Sequence, residues 1–410
     1  MTTPARQSKS SSILPSKSDQ RLYIGVAFAT TLGHAGLVSL PFEIGAIIDG
    51  LKISTAAGGL LVTVELLAYA LTNILLAPII GRMSTRRIAQ IGTLLVIGAD
   101  LLSALTANLP IFTLARGIAG IGFGIVFACA NVAGATAKSP ERAYAVGLGV
   151  SILFYAVLPT LLAYSLNLAD LAPTFLYPHS GVFLAVIAFA IVMLPTMNML
   201  PLEPTQSKPT QSKGPETKPH AGQKATMAAF LSILLMLCFA LGVFCIYTYI
   251  ERRARILGMS SENIGLLISF GFATGMAGTV LAGWVGRRFG MIPPLVIGMV
   301  LQGVSCLVLA IGDSQIALWG SVILFQIMWY FLYPYVFGIA AEIDPVGRLV
   351  TAVGGVYLIG AAIAASIGGY VVQYGGFAAV GTLSLALCSV GALTCLPLSR
   401  VLARAKENQG

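Results

Sequence analysis

Residues 201–226 read PLEPTQSKPTQSKGPETKPHAGQKAT, the one clear break in an otherwise apolar chain. The segment holds a tandem Pro-Thr-Gln-Ser-Lys repeat (204–208 and 209–213), five prolines and four lysines. Such a stretch buries too little apolar surface to offset the entropy of ordering, so it reads as a flexible connector. On either side the composition is the opposite. Of the 410 residues 57% are hydrophobic and only 10% charged, where a soluble domain carries about 25% charged residues. A globular protein this poor in charge could not cover its own surface with polar groups. The chain therefore reads as a polytopic membrane protein rather than as two or three soluble domains.

Working outward from the connector, apolar segments fall near 22–48, 55–80, 88–108, 110–136, 143–167 and 177–199 before it. After it they fall near 227–250, 263–286, 291–312, 315–341, 349–373 and 376–399. At these lengths only helices satisfy their own backbone hydrogen bonds in hydrocarbon; barrel strands need only about ten alternating residues. The expected fold is an all-α membrane protein with twelve transmembrane helices in two six-helix bundles. Its parts are a cytoplasmic tail (1–20), a first bundle (21–200), the connector (201–226), a second bundle (227–400) and a C-terminal tail (401–410). Lysine and arginine sort by side: 19 lie on the side of the tails and connector, four on the other, and Arg116 within a span. That bias places both termini in the cytoplasm, in a multi-pass protein of the plasma (inner) membrane. The net charge of +9 then meets anionic lipid rather than nucleic acid. Cys129, Cys238, Cys245, Cys306, Cys388 and Cys395 lie in apolar runs without zinc or thioredoxin spacing, and read as small apolar residues rather than metal or redox ligands. Residues 1–20 contain no short apolar core of a cleavable signal, so the first span is expected to act as its own uncleaved signal.

The two halves echo each other. Gly81-Arg82-Met83-Ser84-Thr85-Arg86-Arg87 follows the second span, and Gly283-Trp284-Val285-Gly286-Arg287-Arg288-Phe289-Gly290 follows the eighth, 202 positions later. Ser139-Pro140-Glu141-Arg142 and Asp344-Pro345-Val346-Gly347-Arg348 follow the fourth and tenth spans, 205 positions apart. A parallel six-span repeat is a transporter device, in which two similar bundles rock around a midplane site. With Arg116-Gly117-Ile118-Ala119-Gly120-Ile121-Gly122 in span four, residues 21–400 resemble the major facilitator superfamily. The basic turns resemble its signature loop (Gly, three residues, Asp-Arg, one residue, Gly-Arg-Arg), with departures. Gly81 to Gly92 is four residues shorter, with Thr85 at the Asp position; the copy from Gly283 to Gly298 has the full length, with Arg287 there.

The resemblance implies a secondary active transporter that moves a small organic solute by alternating access, as a proton-coupled symporter. It implies no cofactor beyond the proton gradient, membrane lipid as surroundings and a monomer as the working unit. Gly81, Arg86, Arg87, Gly283, Arg287 and Arg288 are the gating or signature-loop residues it implies, and Arg116 matches an arginine that takes part in proton coupling or binding. The alternative is a proton-coupled multidrug or metabolite efflux antiporter. Against it, span five reads Leu158-Pro159-Thr160-Leu161-Leu162, without the glycines of the efflux signature.

Charged groups within spans are costly to insert and mark function. Glu65 stands near the midplane of span two, with Tyr69 and Asn73 at i+4 and i+8 forming one polar stripe. It reads either as a proton or substrate site or as a buried interhelical contact. Arg116 reads as an anchor for a carboxylate solute or a modulator of a nearby acid, or as an ion pair with Asp100 or Glu65. Glu43 and Glu342 are close enough to span ends to reach water. His34, half-way along span one, is placed to titrate near physiological pH or to pack through a hydrogen bond. In span ten, Gln326, Trp329, Tyr330 and Tyr333 surround Pro334 with Tyr335, and suit an aromatic or amphipathic organic ligand or a lipid-facing belt; with the Arg116 anchor, the expected solute is an aromatic or anionic metabolite. Tyr155, Pro159, Tyr247 and Tyr249 are further candidates for the same cavity. The chain has no Gly-x-x-x-x-Gly-Lys loop, His-Glu-x-x-His helix or Gly-x-Ser-x-Gly turn, so an ATPase or intramembrane enzyme is disfavoured. A ligand receptor that does not transport is the remaining class.

Overall fold

The computed structural model describes residues 17–203, 223–286, 288–344 and 348–407. Most of the expected N-terminal tail, residues 204–222 of the connector, Arg287, residues 345–347 and the last three residues lie outside them.

The first half runs α1 (Lys17–Leu51), α2 (Thr55–Ile80), α3 (Thr85–Ala104), α4 (Leu109–Ala135), α5 (Pro140–Tyr155), α6 (Leu158–Ser165), α7 (Leu168–Leu171) and α8 (Ser180–Met193). A 3₁₀ turn, Leu194–Met199, extends α8. The second half runs α9 (Gln223–Tyr247), α10 (Ile250–Ile256), α11 (Ser261–Val285), α12 (Ile292–Ile311), α13 (Gln315–Ile343) and α14 (Arg348–Glu407). Helix starts are fixed by short polar side chains that satisfy the free N–H groups of the first turn. Ser54, Ser84, Asn108, Ser260 and Ser314 accept from Ala57, Arg87, Ile111, Asn263 and Ala317.

Among the described residues, eleven helical segments are long and apolar enough to cross a membrane, and the last, Arg348–Arg400, is 53 residues long. At 1.5 Å per residue that is about 80 Å, more than twice the roughly 30 Å of a hydrocarbon core. Gly376 divides it: at φ 72° and ψ −177° it leaves helical geometry, in a region where a side chain is strained. The two parts make twelve crossings in all, as the sequence indicated. The fifth crossing is split differently. α5 ends at Tyr155 and α6 begins at Leu158, because Pro159 lacks the N–H that would continue the ladder.

Large apolar side chains such as Leu75, Leu114, Val280, Trp284 and Leu393 point outward. The interior holds Arg116, Glu65, Asp100 and Glu43. This arrangement suits lipid as solvent, and the chain is a multi-pass membrane protein.

In the first half α4 packs against α1, α2 and α3, and α1 against α5. In the second, α14 packs against α9 and α12, and α11 against α13. The halves meet where α2 lies along α14 and α11 lies beside α5 and α6. Among the described residues, the hydrogen bonds and ion pairs between halves lie midway along the helices or toward the end remote from the termini. Thr63 donates to Ala362 O (2.6 Å) and bonds Ser366. Ala56 N–H donates to Gln373 (2.9 Å), Thr160 bonds Ser269 (2.8 Å), Tyr247 donates to Val38 O (3.1 Å), and Arg252 pairs with Asp49 (2.7 Å).

Candidate functional site

Two features occupy the interior. The first is a cavity of about 210 Å³ between the halves. α1 contributes Thr30 and His34, α4 contributes Phe127, and α5 contributes Ser151 and Tyr155; α9 contributes Phe244 and Tyr247, and α11 contributes Phe272. The α13 turn around Pro334 adds Trp329, Tyr330 and Tyr333, and α14 adds Tyr357. The rings brace one another edge to face: Phe244 and Trp329 centroids are 5.1 Å apart, Tyr247 and Trp329 5.3 Å, Tyr333 and Tyr357 5.4 Å. Hydrogen bonds fix several of them. Trp329 Nε1 donates to Tyr357 Oη (3.1 Å), and Tyr155 Oη donates to Thr31 O (3.3 Å). His34 Nδ1 lies 3.2 Å from Thr30 O. A carbonyl only accepts, so Nδ1 carries the hydrogen and Nε2 of the neutral ring is an acceptor.

The second feature is a buried charge cluster. Arg116 Nη1 reaches Glu43 (2.9 Å, α1) and Glu65 (3.4 Å, α2), and Nη2 reaches Asp100 (2.5 Å, α3). Nε and Nη2 also donate to Ser103 Oγ at 3.1 and 2.7 Å. A guanidinium has five N–H donors in a fixed fork, and these five bonds use them all. Its face lies 4.4 Å from the Phe183 ring of α8, so four helices and a fifth meet on one cation. Glu65 Oε1 and Asp100 Oδ2 have no hydrogen-bond partner.

The cluster adjoins the sealed end. Glu43 is two residues from Gly45, and a side chain at Gly45 would collide with the buried carboxylate of Glu251 on α10. Glu65 is two residues from Thr63, which bonds α14. His179, at the start of α8, donates from Nε2 to Ser103 O (3.1 Å) and Thr106 O (3.0 Å) and so steadies the residue that receives Arg116. Burial pushes its imidazole below the ordinary value.

Of the residues singled out in the sequence, His34, Trp329, Tyr330 and Tyr333 line the cavity, as do Tyr155 and Tyr247. Glu65 and Arg116 do not; they join Asp100 in the cluster. Glu43, read as close enough to a span end to reach water, is 3% exposed and pairs with Arg116. Tyr69 sits behind the cavity wall, its ring 5.9 Å from that of Phe127, and its hydroxyl and Asn73 Oδ1 are unpartnered. Gln326 is buried against Gly271 and is not part of the lining. Tyr249 donates to Ala365 O away from it. Sequence reading missed Phe127, Phe244, Phe272, Tyr357 and Ser103, which look like ordinary span residues and carry no signal that sets them apart.

The signature-loop residues serve the bundle ends. Gly81 closes α2. Arg86 donates from its backbone N to Pro201 O (3.0 Å) and from Nε to Leu200 O (3.2 Å), and Thr85 to Pro201 O (3.0 Å). The first turn thus ties down the start of the connector, while Arg87 is exposed. In the second copy Gly283 lies in α11, with nothing near its missing side chain. The Arg288 guanidinium lies 5.5 Å from the Trp284 ring, and Tyr335 donates to Gly286 O (3.0 Å).

Two helical bundles around a central cavity define a membrane transporter, not an enzyme. The family model for the Major Facilitator Superfamily matches residues 24–358, and the chain belongs to that superfamily. Two crystal structures of the nucleoside transporter NupG, one of a point mutant, are similar in fold. They have TM-scores of 0.65 and 0.67 and identities of 14% and 13%, covering 94% of this chain and 99% and 100% of theirs. No curated protein matches the chain.

Proposed function

We propose that the protein is a proton-coupled symporter that carries a small organic solute by alternating access. The observation that carries this reading is the position of the charge cluster: it sits on α1 and α2, whose next residues form contacts that seal one end of the solute cavity. One guanidinium faces three acids, so full ionisation leaves two negative charges uncompensated in a buried site, at high cost. Proton binding removes that cost. Losing or gaining a proton at Glu65 changes what α2 is pulled toward, and through Thr63, two residues away and bonded to α14, that pull acts on the seal. With both termini in the cytoplasm of a plasma-membrane protein, the sealed end is external and the structure is inward-facing. The protein works as a monomer in lipid, with the connector letting the bundles rock.

Nucleosides are the first solutes to test, since the similarly folded structures are of a nucleoside transporter; labelled uridine in proteoliposomes is the starting probe, followed by a panel of small aromatic solutes. A symporter accumulates label when the outside is made acid and stops when a protonophore is added. Accumulation driven by an acid interior indicates the efflux antiporter instead. Binding without counterflow indicates a receptor.

A further inference from the structure

We infer that the cavity selects an uncharged aromatic or heteroaromatic solute, held between ring faces and recognised by His34, Tyr330 and Tyr333. The inference rests on the transport reading only in taking this cavity as the solute site.

Among the described residues, no Asp, Glu, Lys or Arg lines the cavity. Arg116 is committed to Glu43, Glu65, Asp100 and Ser103 with no donor to spare. An anionic solute therefore finds no cation, and the aromatic faces that surround it carry the negative side of their quadrupole. A cationic solute finds favourable ring faces. Cation–π attraction is nevertheless smaller than the penalty for stripping water from a charge with no acid beside it. A neutral planar ring meets neither penalty and gains contact on both faces.

The polar groups say what the ring must carry. The hydroxyls of Tyr155 and Tyr247 are spent on backbone carbonyls, and that of Tyr357 accepts from Trp329. Tyr330 and Tyr333 line the cavity and make no protein hydrogen bond among the described residues, so their hydroxyls remain for a solute. Tyr330 packs against Gly275, where any side chain would displace it, which fixes the ring. His34 offers an acceptor at Nε2. Tyr357, which only accepts from Trp329, keeps its own hydrogen, and the hydroxyls of Thr30 and Thr279 also line the cavity; an uncharged ring that carries both a donor and acceptors completes this set.

Trp329 supplies the readout. The chain has three tryptophans, and Trp284 and Trp319 are not in the lining. In a Trp284→Phe, Trp319→Phe protein, Trp329 emission reports the cavity alone. The probes are uridine and benzamide as neutral rings, benzoate as the anion and benzyltrimethylammonium as the cation. At least one neutral probe should quench saturably, with affinity at least tenfold above benzoate and benzyltrimethylammonium. Tyr330→Phe and Tyr333→Phe, which keep the ring, should each weaken that probe roughly threefold to tenfold. The inference is overturned if a charged probe binds as well as the best neutral one, if no neutral probe moves Trp329 at millimolar concentration, or if both tyrosine variants bind unchanged. A neutral probe that binds here but shows no pH-driven uptake leaves this inference standing and removes the proton-coupled reading.

Discussion

Arg116 spends five N–H donors on four side chains from three helices, and that geometry predicts what substitution does. Lysine has three donors at a single point and cannot span the same partners. Arg116→Lys should therefore keep the charge, lose the geometry and abolish gradient-driven uptake. Arg116→Ala should leave three acids without a cation and cost about 3–5 kcal/mol of stability, the usual penalty for breaking a buried pair. Thermal unfolding in detergent ranks the three proteins; equal midpoints would deny the cluster its structural role. His179 makes a pH prediction. Its folded value is depressed by burial, so the unfolded chain takes up its proton first, at about pH 6.5. The stability it contributes is then present above that pH and lost as pH falls. Melting midpoints at pH 7.5 and 5.5 should drop less for His179→Asn than for the unaltered protein.

At the scale of the helix, close approach decides the arrangement. Gly120 lies on α4 one turn after Arg116, and a Cβ there would strike the Glu65 backbone carbonyl on α2. The small residue lets the two helices approach closely enough for Arg116 to reach Glu65. Gly120→Val should push α2 and α4 apart at a cost of about 1–3 kcal/mol. A lower unfolding midpoint together with lost gradient-driven uptake is the expected result, and a variant indistinguishable from the parent on both would contradict it. Elements were the most legible part of the sequence, because span length is set by hydrocarbon thickness and the connector is compositionally unlike its flanks. The break ahead of Pro159 was harder to place, since a proline in a span can either kink or interrupt a helix.

For the whole molecule, the sealed end is the feature that one-dimensional reading could not supply. Arg116, Asp100 and Glu65 stood out because charge in a span is conspicuous. Glu43 did not, since its depth depends on how far α1 runs, and α1 continues to Leu51. Arg252 and Asp49 lie just beyond the apolar segments 227–250 and 22–48, and only the structure shows that they join the two halves. Asp49→Cys and Arg252→Cys, joined by a short bismaleimide, should block transport while leaving Trp329 accessible to probe from the terminus side. Undiminished transport after complete cross-linking would show that this end need not open.

The claim on which the account turns is that protons act through the buried cluster on the movement of solute. Glu65→Gln removes one titrating carboxyl while keeping its shape. The decisive measurement is uptake of the best neutral probe by proteoliposomes as a function of the imposed pH gradient, compared between the parent and this variant. Steep dependence is expected in the parent and none in Glu65→Gln. The same dependence in both proteins would contradict it.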